Sequence, residues 1–92
     1  MTKARFPFVV LRDTTAFGDT THGQAMSRHR TAAAAVRAMR ATNRAVRRHA
    51  GPSAYLPMDL VRVPSDCDRG AWTEGAPLTE DEWIDANDVV DA

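Results

Sequence analysis

Five arginines, Arg37, Arg40, Arg44, Arg47 and Arg48, recur at intervals of three, four, three and one. On a helix, that spacing gathers them within about 100° of arc. Each guanidinium is permanently charged and carries a planar fork of donors suited to carboxylates and phosphates. No acidic residue lies between Asp19 and Asp59, so nothing three or four residues away pairs with the stripe inside the helix. Three readings stand. The stripe is a solvated face partly neutralised by the acidic C-terminal third; or it tracks phosphates, with binding that falls steeply with salt; or it docks on an acidic patch of a protein partner, where arginine is a favoured anchor. Arg28, His29 and Arg30 extend the positive surface at the helix end where the dipole disfavours cations, which hints at a role other than stabilising the helix. Eleven of the twelve basic residues are arginine. With so much alanine beside them this fits a GC-rich genome, so the choice of arginine over lysine is not itself a sign of phosphate recognition.

The opposite charge is segregated too. Residues 20–58 contain seven arginines and no acid, whereas residues 66–92 hold nine acids against Arg69 alone, and the whole chain is neutral. Glu80, Asp81, Asp85 and Asp88 read as a solvated helix face. Their alternative role is an acidic partner-binding face that competes with nucleic acid for a basic channel. Trp83 is explained by the start of its helix; Trp72 has no local explanation and is either core or a partly exposed anchor.

Other chemistry is poorly provided for. His22, His29, His49 and Cys67 lack metal-ligand spacing, and a zinc site would need ligands converging from four segments. Cys67 lies between Asp66 and Asp68, whose charges raise a thiol pKa and oppose nucleophilicity. Gly18 and Gly23 stand alone, with no phosphate-cradling pattern. The expectation is a non-enzymatic protein with no catalytic residues, no metal and no cofactor.

The elements that must carry these residues have their own local signals. Thr31 is a natural helix N-cap, Gly51 can take the left-handed conformation that closes a helix, and Pro52 forbids continuation. The alanine-rich stretch between holds no glycine or proline, which predicts one long helix. Ala32, Ala35, Val36, Met39, Asn43, Val46 and Ala50 share a side and form the core stripe, facing Phe8, Val10, Leu60 and Val63. Met39 is a gap-filler there, and Asn43 needs a hydrogen-bond partner if buried. Ala34, Ala38, Ala41 and Ala45 form a third, small-residue side; it simply fills helix positions, or it admits the C-terminal helix or a second copy.

Around this helix, Phe6–Arg12 reads as a strand whose Pro7 favours the first position or an edge. Residues 14–19 form a turn, and Thr20–Arg28 pairs back as a second strand. Tyr55–Val63 is the third, most secure from Met58, with Ala71–Thr73 as a short fourth. Thr79 with Glu82 is a capping box, and Leu78 with Trp83 has the spacing of a hydrophobic staple. Glu80, Asp81 and Glu82 also complement the dipole of a second helix expected from Glu80 to about Asn87. The fold class is α+β: a small antiparallel sheet of three or four strands with the long helix on one face and a short C-terminal helix, in the order β-β-α-β-(β)-α.

Ninety-two residues make a single domain, 1–92, with a modest core and flexible ends at 1–5 and 89–92. The single cysteine excludes an internal disulfide, no signal peptide is visible, and no apolar run approaches the ~20 residues that span a bilayer. A reducing cytoplasm and no membrane association are expected. In size, polarity and lack of a catalytic motif, the chain resembles the small phage-encoded inhibitors of host defence, such as anti-CRISPR proteins. The resemblance is one of type and carries over no residue. It implies an interaction protein that inhibits by occupying a protein or nucleoprotein partner through a charged face. The alternatives are direct nucleic-acid binding by the arginine stripe, and a structural homodimer formed through the alanine side or a sheet edge.

Overall fold

β1, Phe8–Arg12 (FVVLR), is the centre of the structure, its three middle residues all buried. β-branched and aromatic residues suit a strand covered on both faces. The computed structural model describes residues 5–12, 24–63 and 76–92. β2 (Gln24–His29), β3 (Met58–Arg62) and β4 (Ala76–Pro77) complete an antiparallel sheet in the order β2-β1-β3-β4. Val10 lies opposite Ser27 on one side and Leu60 on the other, and the β1–β2 register slips between Val10 and Leu11. Pro7 immediately precedes the strand; β1 is interior, so of the two expected places for Pro7 the strand start is the one found. The Pro7 carbonyl still accepts from the Val63 N–H at 2.8 Å.

The helices are α1 (Ala32–Ala50) and α2 (Glu80–Asp91). The α+β class and the order of elements follow the expectation from sequence. At the start of α1 the Thr31 hydroxyl accepts from the Ala34 N–H at 3.1 Å. Gly51 closes it with φ 111° and ψ 163°, not the left-handed helical pair expected but an extended, positive-φ region open essentially to glycine alone. Its N–H still completes the last helical bond, to Arg47 at 3.0 Å.

The core joins both helices to one face of the sheet. Val10, Ala35, Val36, Leu60, Leu78 and Ala86 form a buried cluster, with Phe8, Met39, Trp83 and Val90 packed against it. Burying a side chain such as Val36 contributes roughly 1.5–3 kcal/mol relative to leaving it in water. Val63, expected beneath α1, lies instead in a separate cluster with Val9 and Leu11, because strand alternation turns it to the other face. The α1 core stripe also tapers. Ala35 and Val36 are buried, Asn43 and Val46 are half-buried, and Ala50 is exposed, since the helix outruns the short sheet. Asn43 has the partner its position requires: its Oδ1 accepts from the Leu56 N–H at 2.6 Å.

Three boundaries differ from expectation. The fourth strand lies at Ala76–Pro77, at the sheet edge where proline's missing donor is tolerated; the segment expected as strand four, Ala71–Thr73, falls outside the described residues. α2 runs to Asp91 rather than to about Asn87, taking in residues 89–91 of the expected flexible tail. Its last turn holds because Val90 reaches the core and Asp91 reaches α1. The C-terminal helix does not use the alanine side of α1 either. It docks where the core and arginine stripes meet, through Arg40, Val36 and Met39.

Candidate interaction surface

α2 is fixed in place by an arginine at each end. At its start, Thr79 and Glu82 close the capping box, with Glu82 Oε1 accepting from the Thr79 N–H at 3.2 Å and the Thr79 hydroxyl accepting from the Glu82 N–H at 3.3 Å. The other carboxylate oxygen of Glu82 forms an ion pair with Arg62 of β3. The Arg62 guanidinium lies 5.4 Å from the centre of the Phe8 ring, so one side chain ties the sheet to the helix start. At the far end, Arg40 donates to both Asp91 oxygens and to Asn87 Oδ1. Asn87 in turn donates to the Trp83 carbonyl at 2.8 Å. The hydrogen bond from Arg40 holds the Asp91 carboxyl below its ordinary value, assisted by the guanidinium charge and opposed by partial desolvation.

This network divides the arginine stripe. Arg40 is committed to α2. Arg37, Arg44, Arg47 and Arg48 are exposed and have no ion-pair partner among the described residues. Among the described residues, the acidic C-terminal third therefore folds back on the stripe at a single arginine. Glu80, Asp81, Asp85 and Asp88 are likewise exposed and unpaired among the described residues. Trp72 lies outside the described residues.

Between α1 and α2 runs an open groove of about 370 Å³. Val36, Met39 and Trp83 give it an apolar floor, and Arg44 and Arg47 stand on the α1 side of its rim. Asn87 and Asp91 were not singled out from sequence. Trp83, Ala86, Asn87, Val90 and Asp91 nevertheless repeat at steps of three and four, the signal of a helix face continuing past Asn87.

The basic residues ahead of α1 have local work. Arg28 donates to the Phe6 carbonyl at 3.2 Å, and Arg30 lies 5.3 Å from the centre of the Phe6 ring. Between them, the His29 ring and the Ser27 hydroxyl are hydrogen-bonded at 2.8 Å, and burial pushes the His29 pKa below its ordinary 6.5. Arg28 and Arg30 thus pin the segment leading into β1, which accounts for cations at the unfavourable end of the helix dipole.

Among the described residues, no group of three or more His, Cys, Asp and Glu converges as metal ligands, and no helix is long and apolar enough to cross a membrane. Compared with known proteins, the chain matches no family model, no curated protein and no solved structure.

Proposed function

We propose that this chain is a small non-enzymatic interaction protein that binds a protein or nucleoprotein partner through the arginine side of α1. The observation that carries the reading is the division of the stripe: Arg40 is spent on α2, while Arg37, Arg44, Arg47 and Arg48 stand exposed without partners among the described residues. The adjoining groove favours a protein surface over bare phosphate. An apolar floor of Val36, Met39 and Trp83 adds nothing to tracking a nucleic-acid backbone, whereas protein contacts pair an apolar centre with a charged rim. A small domain that offers exposed arginines beside an apolar groove suits a stoichiometric inhibitor acting in the cytoplasm, the role implied by the resemblance to phage-encoded inhibitors.

The test is affinity capture from the native host with three forms of the chain. Wild type and Arg40→Gln should retain the same partner, and Arg44→Glu/Arg48→Glu should release it. Retention by the double reversal would remove the arginine side from the reading. Salt-dependent binding of purified chain to plain DNA or RNA, lost in the same double variant, would transfer the function to nucleic-acid binding.

A further inference from the structure

Both helices lie on one face of the sheet, so their far sides form a single outward surface. That surface is split lengthwise by the groove. On the α1 half stand Arg37, Arg44 and Arg48; on the α2 half stand Glu80, Asp81, Asp85 and Asp88. Neither set has a partner among the described residues. Near the dividing line is Ile84, 51% exposed. It lies seven residues before Asp91, nearly on the same line of the helix, and Asp91 faces α1 through Arg40. Ile84 therefore sits on the groove side of the exposed α2 face.

A surface that is basic on one half and acidic on the other is self-complementary about a two-fold axis running along the division. Such an axis lays α1 of one copy on α2 of the other, and the reverse contact follows by symmetry. We propose that two copies of this chain pair face to face in this way. Arg37, Arg44 and Arg48 of each copy meet Asp81, Asp85 and Asp88 of its partner, and the two Ile84 side chains meet near the axis over the apolar groove floors. The result is an apolar centre with a charged rim, the usual anatomy of a specific interface. Charge carries the complementarity, so the dimer is weak and salt-sensitive. This rests on the proposed function only in sharing its arginines: a second copy occupies the partner's place, so self-pairing holds the binding face in reserve until a tighter partner displaces it.

The experiment is sedimentation equilibrium on the purified chain and two charge-reversed forms, Arg37→Glu/Arg44→Glu and Asp85→Arg/Asp88→Arg, with circular dichroism to confirm folding. Wild type should show a reversible monomer–dimer equilibrium whose Kd rises at least about tenfold between ~50 mM and ~500 mM salt. Each reversed form alone should be monomeric. Mixed in equal amounts they should form a heterodimer, because the reversals make both contacts attractive again. Ile84→Ser should weaken the wild-type dimer without unfolding the chain. A monomer at low salt and high concentration, a dimer indifferent to the reversals, or a mixture that stays monomeric overturns the pairing. Capture of the partner scores separately. A monomeric chain that still loses its partner on reversal of Arg44 and Arg48 refutes the self-pairing and keeps the function; a salt-sensitive dimer with no captured partner does the opposite.

Discussion

Arg40 of α1 and Asp91 of α2, separated by 51 residues in sequence, are held in a forked contact with both carboxylate oxygens engaged. The pair joins the middle of one helix to the last turn of the other. It is exposed, so its weight falls on geometry more than on global stability. Arg40 is thereby withdrawn from the surface that Arg37, Arg44 and Arg48 present.

The pH response of this contact follows from the lowered Asp91 pKa. A carboxyl depressed in the folded state contributes stability that is present above its ordinary value and lost as pH falls through the lowered one. Replacing Arg40 with Gln removes the largest cause of the shift. In a carboxyl-detected NMR titration, Asp91 should move up toward an ordinary aspartate in the variant. Amide exchange at Val89–Asp91 should quicken, while the core amides of β1 hold their protection. An unchanged Asp91 titration would mean that the contact is not formed in solution.

Glu82 serves two partners, and substitutions can separate them. Thr79→Ala removes the hydroxyl that accepts from the Glu82 N–H and should cost about 1 kcal/mol in denaturant unfolding. Glu82→Gln keeps an oxygen for the Thr79 N–H and gives up only the charge facing half-exposed Arg62. Its cost should stay below about 0.5 kcal/mol, as for exposed ion pairs. Equal losses in the two variants would show the ion pair contributing as much as the cap at the start of α2.

His29 gives the opposite pH signature. Its pKa is lowered by burial, so above its ordinary 6.5 it is neutral in both folded and unfolded chains and contributes no pH dependence. As pH falls below that value the unfolded chain takes up the proton first, and the folded state loses stability until the lowered pKa is passed. Melting temperature should therefore decline from pH 7 toward pH 5 in wild type and decline less in His29→Gln. Identical curves would show that His29 is not desolvated in solution.

These relationships differ in how visible they are in the chain itself. Thr31, Gly51, Thr79 with Glu82, and Leu78 with Trp83 act within a few residues of one another, so the ends of α1 and the start of α2 can be read locally. The same holds for FVVLR, whose apolar run marks a covered strand. The end of α2 cannot, because Val90 is ordered by the buried cluster and Asp91 by Arg40 of α1 rather than by a stop signal nearby. Arg40 is indistinguishable from Arg44 in the sequence; only the approach of α2 separates a structural arginine from an exposed one. Hydrophobicity alone sets Val63 beneath α1, whereas strand alternation relative to Leu60 turns it to the other face. The groove was invisible for the same reason as Arg40: it exists only once two helices lie side by side.

Asn43 illustrates how a polar residue on a core stripe is justified. It is half-buried in α1, and its Oδ1 accepts from the Leu56 N–H at 2.6 Å, tying the segment that follows Gly51 back onto the helix before β3 begins. Asn43→Ala would improve helix propensity by a few tenths of a kcal/mol yet leave the Leu56 N–H without its acceptor. The second effect is larger, about 1–2 kcal/mol, so the net result should be a loss of roughly 1 kcal/mol. Asn43→Asp keeps the acceptor and should retain most of the stability. Hydrogen exchange locates the change: the Leu56 amide should lose protection in the alanine variant and keep it in the aspartate variant. A gain in stability from Asn43→Ala would show the tether to be dispensable and helix propensity to dominate at this position.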